Sequence, residues 1–267
     1  MKKAIIGSLC LIFLTSPAAR LLGCTIVMAF KNGMILYGNN EDWNNPGRRV
    51  IFIPASTRFY GRIIFGFKNE LVQGGMNDQG LVLDLNAVRP TGWTPDKDKA
   101  SFRGHFMMYI LGTCATVAEA KSFFQKYNIP DLERLRIPIA DRTGASMVVE
   151  YGRGNVQFVE RRTWYQIATN FIMSNIKNRD YPCWRYKTAD SILKRANNLN
   201  VELIRDVLDA CKQTGKNKTV YSNIYDLKRG IIHVYNQSDF TNPVILNLAE
   251  ELKKGPRNLS LAELFTR

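Results

Sequence analysis

Apolar, β-branched and aromatic positions fall into short runs separated by turn residues along most of the chain, and the first pair after residue 23 is the clearest. Thr25 to Phe30 and Met34 to Gly38 flank Asn32-Gly33, a dipeptide suited to positive φ in a two-residue hairpin turn. With those two residues as the loop, Lys31 pairs with Met34. Counting outward then sets Cys24 opposite Glu41 and beside Asp42, and a bulge would shift this register by one residue. Strand-like runs follow at Arg48 to Ala55, Phe59 to Phe67 and Leu81 to Val88, with a glycine-rich turn at Gly74 to Gly80. Gly104 to Leu111 is apolar at helical spacing, and Val117 to Tyr127 opens with a capping box, Thr116 and Glu119.

Arg136 to Ala140, Ala145 to Tyr151, Val156 to Glu160 and Gln166 to Asn170 return to strand patterns. Helices are predicted at Trp184 to Ala196 and Val201 to Lys212, strands at Val220 to Asp226 and Gly230 to Tyr235, and a capped helix at Leu261 to Phe265 with Ser260 and Glu263 at its head. Blocks of strands alternating with pairs of helices predict an α+β fold of antiparallel sheets packed face to face with helices outside, and not a parallel βαβ sheet. No low-complexity linker or repeat divides the chain, so residues 24–267 are expected to form one domain.

The segment ahead of Cys24 reads differently. Lys2-Lys3 precedes an apolar run, Ala4 to Thr15, of the length of a secretory h-region and too short to span a bilayer. Ser16-Pro17-Ala18-Ala19 supplies small residues for cleavage after Ala18 or Ala19, leaving Arg20 to Gly23 as a short pro-segment. The expected location is secreted or periplasmic, with no stable membrane span. Leu21-Leu22-Gly23-Cys24 also reads as a lipobox, which would make Cys24 a lipid anchor. Arg20 interrupts the apolar run and argues against that reading, but it stays open.

Composition narrows the chemistry. The formal net charge is +14, three charges of which lie ahead of Cys24, and the remaining basic residues are scattered rather than clustered. In an exported chain this favours solvated faces over nucleic acid as a partner. Cys24, Cys114, Cys183 and Cys211 are widely spaced, without a CxxC pair, so neither a disulfide framework nor a metal site is signalled. With only His105 and His233 present, and neither in a nucleophile motif, a mechanism that does without histidine is favoured.

A terminal cysteine is such a mechanism. Its free α-amine titrates at roughly 7.7 to 8.0, so nucleophile and base share one residue, as in enzymes with an N-terminal threonine nucleophile. A carboxylate near the amine, Asp42 by the hairpin register, would hold and orient it. The competing reading is a buried, inert cysteine at a strand end.

Four islands in order carry a resemblance. They are Cys24-Thr25 with Gly38-Asn39-Asn40-Glu41-Asp42, Gly75 to Leu81 running on to Leu85-Asn86, Gly144 to Tyr151 followed by Thr169-Asn170, and Arg185 in Cys183-Trp184-Arg185-Tyr186. Together they resemble the choloylglycine hydrolase and penicillin V acylase group, with its acid ceramidase and isopenicillin-N acyltransferase relatives. These are N-terminal-nucleophile hydrolases with a four-layer αββα sandwich.

The resemblance implies Cys24 as nucleophile, its amine as base, Asp42 holding amine and thiol, Asn86 and Asn170 as oxyanion donors, and Arg185 orienting the cluster and favouring the thiolate. It implies hydrolysis of linear, non-peptide amide C–N bonds of a small acyl-amide through an acyl-thioester, without a cofactor. Transfer of the acyl group to another amine stays open, as does a homo-oligomer. Asn39 departs from the group, which has arginine there, and this sets bile-salt and penicillin activity apart from amide hydrolysis in general.

The Gly23-Cys24 junction resembles the self-cleaving junction of the acyltransferase branch. Glycine there is read as leaving the scissile carbonyl sterically open. The base in that step cannot be an amine that does not yet exist, so Asp42 or a bound water is the nearest candidate, and loss of Arg185 is compatible with maturation. Met28, Phe65, Met76 and Phe171 are candidates for an acyl pocket or for core.

Overall fold

The computed structural model describes residues 23–43, 45–68 and 71–266. The expected signal peptide and Arg20 to Leu22 of the pro-segment lie outside the described residues. In chain order, β1 (Thr25–Lys31) and β2 (Met34–Glu41) are followed by β3 (Arg48–Ile53), β4 (Arg62–Phe67), β5 (Leu71–Asn77), β6 (Val82–Asp84), β7 (Asn86–Ala87) and β8 (Ala100–Ser101). Helices α1 (Phe106–Thr113) and α2 (Val117–Lys126) precede β9 (Tyr127–Asn128), β10 (Leu135–Ala140), β11 (Ser146–Gly152), β12 (Asn155–Glu160) and β13 (Tyr165–Ala168). Then come α3 (Trp184–Arg195), α4 (Val201–Cys211), β14 (Tyr221–Asp226), β15 (Ile231–Asn236), β16 (Val244–Asn247), α5 (Leu248–Lys253), β17 (Arg257–Ser260) and α6 (Leu261–Phe265).

Two large antiparallel sheets form the centre. One has six strands in the order β13-β1-β2-β14-β15-β16; the other has nine, in the order β12-β11-β10-β6-β5-β4-β3-β17, with β7 also pairing β10. Ile26, Met28 and Tyr37 of the first sheet pack against Phe65, Met76 and Val148 of the second in the core between them. A second core joins Leu83 and Ile137 to Phe106, Ile110 and Phe124 of α1 and α2. A third joins Val27 and Leu36 to Leu193, Ile204 and Leu208 of α3 and α4. The layers are therefore helix, sheet, sheet, helix, each apolar face covered by the next. The first hairpin lies in the middle of the six-stranded sheet and is buried on both sides, which is why β1 reads as a continuous apolar run.

Several elements depart from the sequence pattern for local reasons. Gly74, Gly75 and Met76 belong to β5, paired with β4 and β6, and not to a turn; glycine at 75 serves close approach, since a side chain there would meet the Ile63 carbonyl at 2.2 Å. The run expected from Leu81 to Val88 is broken at Leu85 into β6 and β7, where Asp84 turns its carboxylate onto the Leu85 N–H at 2.7 Å. Helix α1 begins at Phe106 because Gly104, at φ 114, is outside helical space. The capping boxes on α2 and α6 form as expected. β16, α5 and β17 were not signalled by periodicity. Met28, Phe65 and Met76 are core between the sheets, and Phe171 packs partly buried against the α3/α4 core.

Candidate active site

The hairpin has the expected register. Lys31 pairs with Met34 and Thr25 with Asn40, and the loop residues Asn32 and Gly33 take φ 53 and 78. One residue beyond the paired stretch, the Cys24 thiol donates to Glu41 Oε1 at 3.4 Å. Both side chains are buried, Cys24 at 5% exposure and Glu41 at 1%.

Arg185, at the head of α3, links the other expected residues. Its Nη1 donates to the carbonyls of Gly23 at 2.6 Å and Cys24 at 3.0 Å and to Thr25 Oγ1 at 3.0 Å. The same nitrogen lies 3.5 Å from Asp42 Oδ2, and Nη2 donates to Asn170 Oδ1 at 2.8 Å. Asn86, on β7 of the opposite sheet, donates from Nδ2 to the Cys24 carbonyl at 3.1 Å. Asn170 Nδ2 reaches the Ala87 carbonyl at 2.7 Å, bridging the two sheets. Cys24, Asp42, Asn86, Asn170 and Arg185 thus come from well-separated stretches of chain into one buried network.

Three further participants were not among the expected site residues. Gln213, just past α4, donates from Nε2 to the Gly23 carbonyl at 3.1 Å and to Asp42 Oδ2 at 2.8 Å. Thr219 donates its hydroxyl to Asp42 Oδ1 at 2.5 Å. Glu41 is the third, and the hairpin register alone placed it opposite Cys24. Asp42 therefore has both oxygens engaged, on Thr219 and on Gln213 with Arg185.

Charges around the thiol do not favour its anion in this form. Burial pushes the Cys24 thiol well above its ordinary range, and the Glu41, Asp84 and Asp42 carboxyls push it further; the Asp42 backbone N–H acts the other way. Arg185, expected to favour the thiolate, is not among the groups that act on the thiol; its nitrogens meet carbonyls, Thr25, Asp42 and Asn170. Burial also raises Glu41 to about 8, helped by the Asp42 charge. Asp42 rises to about 7 by burial, against the lowering effects of Thr219, Arg185 and Gln213. Asn39, standing where the resembled group has arginine, donates to Asp84 Oδ2 at 2.8 Å. Asp84 is itself raised by burial and by Glu41.

Glycine at position 23 is enforced by its surroundings. A side chain on Gly23 would fall within 2.0 Å of Asn170 Nδ2, Cγ and Oδ1, so glycine is required there for close approach. Arg185 contacts the Gly23 carbonyl directly. Beneath the site, the fully buried Arg136 pairs with Glu150 at 2.8 Å and donates from Nη1 to the carbonyls of Thr169 and Phe171. Glu150 accepts from the Met173 and Ser174 N–H groups. The stretch bearing Asn170 is pinned from both sides. Among the described residues no group of His, Cys, Asp and Glu is arranged to hold a metal ion, and no helix is long and apolar enough to cross a membrane.

The model of the acyl-coenzyme A:6-aminopenicillanic acid acyl-transferase family matches residues 29–239, which is most of the chain and holds Asp42, Asn86, Asn170 and Arg185. The chain belongs to that family. No curated protein sequence matches it. Its fold is similar to that of a variant of the conjugated bile acid hydrolase from Clostridium perfringens, at 16% identity and TM-score 0.65, covering 89% of this chain and 96% of that one. It is also similar to penicillin V acylase from Agrobacterium tumefaciens, at 18% identity and TM-score 0.63, covering 85% and 88%. The Caenorhabditis elegans ortholog of N-acylethanolamine-hydrolyzing acid amidase aligns at 18% identity and TM-score 0.53, covering 77% and 93%. At these identities the likeness establishes the fold, the αββα sandwich of N-terminal-nucleophile hydrolases, for this acyl-transferase family member.

Proposed function

We propose that this protein cleaves linear amide C–N bonds of small acyl-amides, using the Cys24 thiol as nucleophile and passing through an acyl-thioester. The observation that carries the reading is the Arg185 network, in which one buried guanidinium joins the Cys24 main chain, Asp42 and Asn170. In this reading the freed Cys24 amine is the base, Asp42 holds that amine, and Asn86 and Asn170 donate to the oxyanion of the attacked carbonyl. Donors preorganised in this way each contribute a few kcal/mol to the transition state. The neighbours named for bile acid, penicillin V and N-acylethanolamine hydrolysis supply the substrate class by analogy of fold.

Transfer of the acyl group to an amine is the second reading, favoured by the description of the matching family. Both outcomes share the acyl-enzyme and differ in whether water or an amine resolves it. Export by residues 1–23 and a single catalytic domain from 24 to 267 belong to the same proposal. A lipid anchor on Cys24 is disfavoured by the burial of its thiol against Glu41.

The experiment is mass spectrometry of the mature chain with an electrophilic acyl probe, together with N-terminal sequencing. One label per chain, lost in Cys24→Ala, and a free Cys24 terminus are expected. Labelling that persists in Cys24→Ala, or a terminus blocked by diacylglyceryl, overturns the proposal. A panel of acyl-amides with and without an added amine then separates hydrolysis from transfer.

A further inference from the structure

Around the Gly23-Cys24 junction stand two groups that the turnover reading does not use, Gln213 and Glu41. The carbonyl oxygen of Gly23 accepts from Arg185 Nη1 at 2.6 Å and from Gln213 Nε2 at 3.1 Å. These are the contacts a tetrahedral oxyanion at that carbon needs. The thiol that follows points its proton at Glu41 Oε1, and Glu41 Oε2 is buried without a hydrogen-bond partner among the described residues. Of the candidates expected from the sequence, Asp42 or a bound water, Asp42 has both oxygens engaged by Thr219, Gln213 and Arg185, whereas the thiol faces Glu41.

We propose that Glu41 is the general base of self-cleavage at the Gly23-Cys24 bond, with Arg185 and Gln213 as the oxyanion donors of that step. The inference rests on the reading of Cys24 as a nucleophile freed by its own chain. The Cys24 Sγ–H proton passes to Glu41 Oε1 as sulfur attacks the Gly23 carbonyl carbon through a five-membered ring, and the carbonyl oxygen becomes an oxyanion under Arg185 and Gln213. The C–N bond then breaks, the Cys24 nitrogen takes the proton back from Glu41, and a Gly23 thioester on sulfur remains. Water adds to that thioester, giving up its proton to Glu41. Sulfur leaves as the thiol, and the segment ending in Gly23 departs as a carboxylic acid. Asp42 acts in this step as a positioning residue, holding Gln213 and Arg185 on the carbonyl.

The electrostatics suit the task. A carboxylate raised to about 8 by burial is a far better proton acceptor than an ordinary one near 4.3. The titratable groups facing Glu41 are Cys24, Asp42, Asp84 and Tyr221. Cys24 and Tyr221 are raised above this window, while Asp42 at about 7 lies inside it and is present in both chains compared below. The rate of conversion is therefore expected to rise with pH toward about 8 as Glu41 ionises, and to lose that rise when Glu41 is replaced.

The test is purified full chain, made without cellular export and followed by intact mass for loss of everything ahead of Cys24, in wild type, Cys24→Ala, Glu41→Gln and Glu41→Asp, with circular dichroism and a thermal melt to confirm folding of each. Wild type converting, Cys24→Ala remaining intact, folded Glu41→Gln slowed about 100-fold or more without the pH rise, and Glu41→Asp partly restored would support the proposal. Wild type that stays intact, or Cys24→Ala that is cut without protease, removes the self-cleavage reading itself and the proposal with it. Folded Glu41→Gln that converts at the wild-type rate while Cys24→Ala does not leaves self-cleavage standing and overturns the role of Glu41. Hydroxylamine, which opens a thioester and not a peptide bond, completes the test. Glu41→Gln chain that is not released by it supports action in the first step, and chain that is released shows the thioester already formed and overturns that assignment.

Discussion

At the scale of single residues, the site is organised by which oxygen is already occupied. Asp42 accepts from Thr219, Gln213 and Arg185 at once, so its function depends on its being an acceptor on both oxygens. Asparagine has nearly the same shape but offers one oxygen and an NH2 group, and that group would face donors. Asp42→Asn is therefore expected to fold but to slow both conversion at Gly23-Cys24 and probe labelling of Cys24 by about 100-fold or more, the size of a lost oxyanion donor. Intact mass and labelling rate measured on the same sample check this, and near-wild-type values would show the carboxylate to be dispensable. Asp42 was legible from the hairpin register and the motif together. Gln213 and Thr219 were not, because both lie in an irregular stretch after α4 whose path no periodicity describes.

At the scale of elements, the stretch between β13 and α3 owes its position to two strands of the opposite sheet. Arg136 on β10 and Glu150 on β11 form a fully buried pair whose remaining hydrogen bonds go to the backbone from Thr169 to Ser174. Removing one charge leaves the other buried and uncompensated, which costs about 3–5 kcal/mol. Glu150→Gln is expected to lower stability by that amount, read as a lower melting temperature, and to reduce labelling of Cys24, since Asn170 sits on the displaced backbone. Replacing both with apolar residues of similar volume is expected to recover stability and not labelling, a difference that thermal melts and labelling read separately. Sequence pattern identified β10 and β11 as strands but gave no sign that their charged positions face inward. Alternation predicts one polar face, and a polar residue on the buried face is visible only when its partner is.

At the scale of the whole molecule, the buried carboxyls set how stability responds to pH. Glu41 and Asp42 have folded values raised to about 8 and about 7, above their unfolded values near 4. A raised folded value means that the folded chain binds more protons than the unfolded one between those limits, so stability is full below about pH 4 and falls as pH climbs to about 8. This is opposite in sign to the usual effect of a paired carboxylate. In a Cys24→Ala background, where the junction stays uncut, Glu41→Gln is expected to raise the melting temperature more at pH 8 than at pH 5. Equal shifts at the two pH values would show that Glu41 is not held protonated by burial.

The sequence by itself determined the hairpin and brought Cys24 to the end of β2 near Glu41 and Asp42, because Asn32-Gly33 admits few backbone conformations and strand pairing propagates the count, to within the one residue a bulge would shift. It also determined the layered class, through blocks of apolar runs, and pointed by motif to Asn86, Asn170 and Arg185. Tertiary structure alone decided which donors meet which oxygens. Arg185 and Gln213 reach the Gly23 carbonyl, Glu41 rather than Asp42 faces the thiol, and Asn39 turns to Asp84, because each depends on how two sheets and α3/α4 approach one another. Local pattern encodes conformation along the chain, whereas the acidity of a buried group and the partner of a side chain are set by neighbours far away in sequence and by the water that packing excludes.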